Sequence, residues 1–285
     1  MSKRAILLIH CPDQKGLVAK ITDFLFKLGG NITYLDQYVD VEGARFFMRV
    51  EWELQGFKLY PDAIGPIFGK ELGEPLNLTW RLYFSDQRPK VAIFCSKEPH
   101  CLDDILARKS SGEWELEIPL ILSNHRLLEP TAKRFGIEFA YVPVLPEKKE
   151  EAEKAQLALL KKHQIDFIVL ARYMQIISET FIEQYPNKII NIHHSFLPAF
   201  AGAKPYHAAF ERGVKLIGAT SHYVTADLDS GPIIEQSTTP VTHHDRIEDL
   251  IRKGRDQEKL VLAKAIWLHL NRKILVFQNR TVVFV

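Results

Sequence analysis

Between residues 90 and 193, short runs of nearly unbroken apolar residues recur at Lys90–Cys95, Glu117–Ser123, Asp166–Ala171 and Ile189–His193. A strand that is apolar on both sides has to be covered on both sides, and a parallel sheet sandwiched between helices is the architecture that does so. The segments Leu102–Lys109, Glu147–His163 and Ser178–Gln184 read as the covering helices, the second of them entered through Pro146. The charge run at its start reads as a solvated helix face. A doubly wound, mainly parallel α/β domain is therefore expected over residues 90–285.

The first 84 residues have a different rhythm. Ala5–His10 reads as a strand, and Gly16 opens a helix whose apolar face is Leu17, Ile21, Phe24, Leu25 and Leu28. Asn31–Val41 and Ala44–Leu54 alternate around Glu42-Gly43 as a hairpin. Asp62–Leu72 then reads as a helix and Asn77–Phe84 as a fourth strand. This order is a split βαβ, ferredoxin-like arrangement with an antiparallel four-stranded sheet. The polar segment 85–89, closed by Pro89, separates it from the second domain. Two domains also suit a chain of 285 residues.

Composition narrows the function classes. With 46% hydrophobic and 25% charged residues, both domains can bury a core, and a formal charge of +2 gives no footing for nucleic-acid binding. No run approaches the roughly 20 apolar residues of a membrane span, and the amino terminus lacks the pattern of a signal peptide. A soluble cytoplasmic protein is expected. Cys11, Cys95 and Cys101 make no Cys-x-x-Cys pair, so a disulfide framework is not expected. Cys101 adjoins His100, but neighbouring residues rarely bring their side chains together, and packing is the plainer role.

In an open α/β sheet, ligands bind beyond the carboxyl ends of the strands. Three loops there carry unusual residues. The strand through Ile189 runs into Asn-Ile-His-His-Ser-Phe-Leu-Pro at 191–198. Alternation places Asn191 and His193 on one side and His194 on the other. The strand Leu216–His222 leads into Asp227-Leu228-Asp229-Ser230-Gly231-Pro232, and the apolar run at 165–170 leads into Arg172-Tyr173-Met174-Gln175. An amide donor, an imidazole and a carboxylate suit acyl transfer from a formamide: the first two can hold an oxyanion, and the third can orient the imidazole and position water. By residue type alone, each also fits a structural place at a strand end.

The residues at 191–198, Gly-Ala-Lys-Pro-Tyr-His at 202–207, Ile-Gly-Ala-Thr-Ser-His-Tyr-Val at 217–224 and Asp-Leu-Asp-Ser-Gly-Pro-Ile-Ile-Glu-Gln at 227–236 resemble the folate-dependent formyltransferases over residues 88–285. That resemblance implies a catalytic trio of Asn191, His193 and Asp229. It also implies a folate pocket from Tyr173, Met174, Gln175 and Ile177, with His194, Val224, Thr225 and Asp227, holding the pterin largely through backbone groups. Cys-Pro-Asp-Gln-Lys-Gly-Leu-Val-Ala-Lys at 11–20 and Leu-Gly-Gly-Asn-Ile at 28–32 resemble the ACT domain, a regulatory module that often binds amino acids between paired copies. This implies an effector site drawing on Asp13, Gly16, Leu17, Asn31 and Ile32, with glycine or methionine as effector, and a homo-oligomer. The fusion of both parts is similar to the branch of that family in which water replaces the formyl acceptor. The implied activity is hydrolysis of 10-formyltetrahydrofolate to tetrahydrofolate and formate, with no metal or other cofactor. It would supply formate for purine synthesis and balance the one-carbon folate pools.

Rival readings are weaker on specific residues. Transfer to glycinamide ribonucleotide calls for a glycine-rich loop after the first strand of the sheet, to bring backbone N–H groups to a phosphate. The matching stretch here is Phe94-Cys95-Ser96-Lys97-Glu98-Pro99-His100, in which Glu98 is expected to repel a phosphate and Pro99 lacks a donor. Transfer to a charged tRNA would need a further carboxyl-terminal domain and a basic face. A metal hydrolase built on His193, His194, His222, His243 and His244 lacks any recognised ligand spacing. An amino-acid sensor without catalysis leaves the second domain unexplained.

Overall fold

A computed structural model describes residues 3–199 and 205–285. The chain forms two compact units: residues 1–87 with 272–275 and 282–285, and residues 88–271 with 276–281.

The first unit holds β1 (Arg4–Pro12), α1 (Leu17–Lys27), β2 (Asn31–Asp40), β3 (Arg45–Glu53), α2 (Pro61–Phe68) and β4 (Thr79–Phe84). The sheet order is β2-β3-β1-β4, and β1 runs antiparallel to both neighbours, with Leu7 opposite Val50 and Leu82. Leu17, Ile21, Phe24 and Leu25 of α1 are buried against this sheet, the face expected from their spacing. Each such side chain contributes roughly 1.5–3 kcal/mol by leaving water. The second expected helix is broken: α2 ends at Phe68 and continues as a π-helical turn, Gly69–Gly73. Trp80 explains the need for glycine here, since a Cβ on Gly73 would lie 2.8 Å from its Nε1. The carboxyl-terminal segments, expected within the second domain, are held in this unit by local contacts. Phe284 is buried, the Arg49 Nε–H donates to Arg272 O at 3.0 Å, and Tyr34 Oη–H donates to Val285 O at 3.3 Å.

The second unit is built on a seven-stranded sheet. Its strands are β5 (Lys90–Cys95), β6 (Glu117–Ser123), β7 (Glu138–Tyr141), β8 (Phe167–Ala171), β9 (Ile189–His193), β10 (Leu216–Tyr223) and β11 (Ile233–Pro240), in the order β11-β10-β9-β8-β5-β6-β7. Strands β5, β6, β7, β8 and β9 are parallel, and β10 is antiparallel to both β9 and β11. Every residue of β8 is buried, as a strand covered on both faces requires. The helices are α3 (His100–Ser110), α4 (Glu129–Arg134), α5 (Lys149–Lys162), α6 (Glu179–Ile182), α7 (Pro205–Arg212) and α8 (Ile247–Leu270). A last hairpin pairs β12 (Ile274–Phe277) with β13 (Arg280–Val283). Among the described residues, no helix is long and apolar enough to cross a membrane.

Candidate active site

The expected catalytic residues meet where β9 ends. Asn191 lies on β9 directly opposite His222 of β10, with its Nδ2 3.2 Å from His222 Nε2. His193, the last residue of β9, places Nδ1 3.2 Å from Asp229 Oδ2. The other Asp229 oxygen is 3.7 Å from His222 Nε2, too far for a hydrogen bond but close enough to feel a charge there.

These contacts fix the protonation pattern. A carbonyl oxygen can only accept, so the 3.0 Å contact between His222 Nδ1 and Tyr223 O puts a proton on Nδ1. In neutral His222, Nε2 is then a lone pair that accepts from the Asn191 amide and aims it. In the same way, the Asp229 carboxylate favours a proton on His193 Nδ1. His193 Nε2, buried and without a partner, is left as the reactive nitrogen. The proton that His193 Nδ1 holds toward it keeps the Asp229 carboxyl well below the usual carboxylate range.

The backbone pins Asp229 in place. Its φ is 54°, a left-handed conformation that few side chains adopt. Two residues on, a Cβ on Gly231 would fall 1.8 Å from the Tyr223 carbonyl oxygen. Only glycine lets the loop lie that close to the strand.

Across the cleft, the loop after β8 is anchored at several points. Gln156 of α5 donates to Tyr173 Oη at 3.0 Å, and Met174 N–H donates to Ser96 Oγ at 3.1 Å. Buried Glu153 accepts from Ser178 N–H at 2.8 Å. Phe94 packs edge-on to the Tyr173 ring at 5.3 Å. The resulting cleft has a volume of about 440 Å³, within the usual range of roughly 300–1,000 Å³ for small-molecule pockets.

Tyr173, Met174, Gln175, Ile177, His194, Val224 and Thr225 line this cleft with the trio. Asp227 is absent from its lining, and its carbonyl instead accepts from Thr225 Oγ1 at 3.2 Å. His194 is not turned away as strand alternation suggested, because β9 has already ended at His193. The two imidazoles lie 5.0 Å apart, centroid to centroid. Burial, followed by the charges of Arg172 and His193, pushes the His194 pKa down to about 4. The segment 200–204, which carries the start of the motif at 202–207, lies outside the described residues. Sequence reasoning overlooked His222 as a member of the site. Its place in the 217–224 motif was a signal, but its role depends on pairing with Asn191.

Of the residues expected around an effector, Ile32 alone lines a groove described in the first unit. Gly16, at φ 86°, precedes α1 without a side-chain cap, and Leu17 is in the core. Asp13 N–H donates to Ala44 O, and Asn31 Nδ2 donates to Glu53 Oε2. A shallow groove beside α1 is lined by Ile32 together with Ala19, Thr22, Asp23, Phe26 and Gly30. Among the described residues, one set of metal-type ligands converges: His100, Cys101 and Glu258, with ligand atoms within 4.8 Å of one another. A cation fits poorly there. Tyr206 and His100 already engage the Glu258 oxygens, the Arg172 guanidinium stands beside them, and burial raises the Cys101 thiol pKa well above its ordinary value.

An Asn–His–Asp set where the inner strand β9 of a mainly parallel sheet ends, preceded by a βαββαβ unit, defines a formyl transferase domain joined to an ACT domain. Residues 89–266 match the formyl transferase family and residues 5–51 the ACT domain family. The chain is 55% identical to a formyltetrahydrofolate deformylase of Synechocystis over 98% of both sequences. It is 47% identical to that of Bacillus subtilis, over 98% of this chain and 93% of the relative. A crystal structure of a formyltetrahydrofolate deformylase from Pseudomonas syringae pv. tomato superposes with a TM-score of 0.97 at 44% identity, covering 100% of this chain and 95% of that one. A glycinamide ribonucleotide transformylase 1 from Symbiobacterium toebii superposes with a TM-score of 0.67 at 29% identity, over 72% of this chain and 98% of its own. The chain belongs to the formyltetrahydrofolate deformylase family.

Proposed function

We infer that this chain hydrolyses 10-formyltetrahydrofolate to tetrahydrofolate and formate, and that Asn191, His193 and Asp229 carry the chemistry in the 440 Å³ cleft. The observation that carries the assignment is the His193–Asp229 contact beside an aimed Asn191 amide, in a member of the deformylase family. Folate lies between the Tyr173–Ile177 and Val224–Asp229 loops. The Asn191 N–H holds the formyl oxygen as it gains charge. His193 Nε2 takes a proton from water as the oxygen–carbon bond forms, and Asp229 stabilises the resulting imidazolium. Nε2–H then protonates the folate nitrogen as the carbon–nitrogen bond breaks. The remaining proton is lost to solvent when formic acid ionises. No resident metal or cofactor has a part in these steps.

Purine synthesis is the natural consumer of the formate, and folate recycling the second consequence. Three buried free thiols suit a reducing cytoplasm. The first unit pairs with a second copy and takes an amino acid, glycine or methionine, as effector. That reading is supported by the ACT match and by the open edges β2 and β4. The central test supplies formyl-folate with and without glycinamide ribonucleotide and measures both products. Formate release unaffected by the ribonucleotide supports hydrolysis; formylated ribonucleotide as the main product overturns it.

A further inference from the structure

A second cavity, of about 200 Å³, adjoins the cleft and shares Arg172 and His194 with it. It is organised around one buried carboxylate. Glu258 of α8 is 1% exposed and accepts from Tyr206 Oη at 2.6 Å and from His100 Nε2 at 2.8 Å, with Arg172 Nε 3.4 Å away. Burial opposes its ionisation, yet His100, Arg172 and Tyr206 outweigh that and hold its carboxyl below the ordinary value. Two local features serve this cluster. Arg172 follows β8 with a φ of 60°, a conformation that disfavours any side chain, so a guanidinium is placed where glycine would be relaxed. Gly254, one turn before Glu258, admits the Tyr206 ring: a Cβ there would fall 2.2 Å from the phenol.

The loop after β5 borders the same cavity, but not as the sequence suggested. Glu98 is paired with Arg255 Nη2 at 2.7 Å, so its charge is balanced rather than free to repel an anion. Glu98 alone therefore does not exclude an acceptor.

We propose that Arg172 and Glu258 are the specificity-determining pair that closes the acceptor side of the formyl site to amines and leaves it to water. The proposal rests on reading the larger cleft as the formyl-folate site. An amine acceptor has to bring its nitrogen to the formyl carbon and lodge the rest of its structure beside the cleft. The adjoining space is below the roughly 300 Å³ of an ordinary small-molecule pocket, and the Glu258 carboxylate on its wall is already held by Tyr206 and His100. Entry would part a buried carboxylate from its donors, which leaves a charge stranded. Water needs none of that space. With an amine, a nitrogen–carbon bond would form in place of the oxygen–carbon bond, the folate nitrogen would leave as before, and the product would be a formamide.

The test is the partition of formyl between water and glycinamide, read as N-formylglycinamide against formate at saturating formyl-folate. The parent protein should give formate alone. In Arg172→Gly, which suits the backbone at that position, N-formylglycinamide should rise at least about tenfold above the parent's detection limit, equivalent to about 1.4 kcal/mol of lost discrimination. Glu258→Gln keeps the shape but frees Arg172, and should shift the partition in the same direction. A structural role alone would lower both products together and leave the ratio unmoved. The proposal is overturned if the parent formylates glycinamide, or if Arg172→Gly turns over formyl-folate with the parent's ratio. Should that variant fail to fold by circular dichroism, the ratio in Glu258→Gln decides. A parent that consumes formyl-folate without releasing formate would instead defeat the functional reading beneath it.

Discussion

Asn191 and His222 face each other across the antiparallel pair β9–β10, and the lone pair of His222 Nε2 receives the Asn191 amide at 3.2 Å. The imidazole is itself oriented by donating Nδ1–H to the carbonyl of Tyr223. His222 therefore aims a donor at the wall of the cleft. His222→Phe should lower kcat on the order of 10- to 100-fold and leave KM nearly unchanged, a smaller loss than the ~10²–10³ for deleting an oxyanion donor. Steady-state kinetics on the folded variant check this; a kcat within about threefold of the parent would remove His222 from the site.

Asp229→Asn should abolish hydrolysis by roughly 10²–10⁴ in rate while folate still binds. The amide keeps the shape of the loop, but it cannot compensate an imidazolium at His193. Binding is read by fluorescence titration with tetrahydrofolate and turnover by formate release. Near-parental turnover would exclude Asp229 from proton handling.

His194 should remain neutral at physiological pH, with its titration midpoint depressed to about 4. Between the ordinary value of 6.5 and about 4, the unfolded chain binds a proton that the native protein refuses. Stability therefore falls as pH drops through that window and is recovered above it. In His194→Gln this part of the loss should vanish, which urea midpoints at pH 7 and pH 5 will show. A histidine NMR titration with its His194 midpoint near 6.5 would sink the prediction. Asp229 acts lower down: its stabilisation is present above the unfolded carboxylate value and is lost as pH falls below it.

The effector and assembly roles of the first unit are tested together. Sedimentation should give an oligomer, and calorimetry with glycine and with methionine should show one of them binding and altering turnover. If neither does, the unit serves assembly alone.

Much of this architecture was legible in residue patterns. The apolar runs at 90–95 and 166–171 could only be two-faced strands, and the spacing of Leu17, Ile21, Phe24 and Leu25 could only be a helix face. Elements with weak patterns escaped: β7 has four residues, β11 alternates poorly after Gly231-Pro232, and the polar first half of α8, with Arg252, Lys253 and Arg255, hid the start of that helix at Ile247. In the site, Asn191 and His193 could be paired from strand alternation. The contribution of His222 could not, since it depends on the register between β9 and β10, and His194 was misdirected because its strand had already ended. The Arg172–Glu258 contact joins segments far apart in sequence, which no local pattern reports.

The antiparallel edge also has a consequence for the order of assembly. Asn191 and His193 are delivered by the parallel centre of the sheet, but His222 and Asp229 arrive only when β10 docks beside β9 and the following loop folds back with Gly231 against Tyr223. Catalytic competence thus needs this strand pair in addition to the parallel centre. During refolding, secondary structure and core burial should therefore return before catalytic competence. Recovery of activity then times the closing of this one strand pair, a clock that spectroscopic probes of the helices would miss.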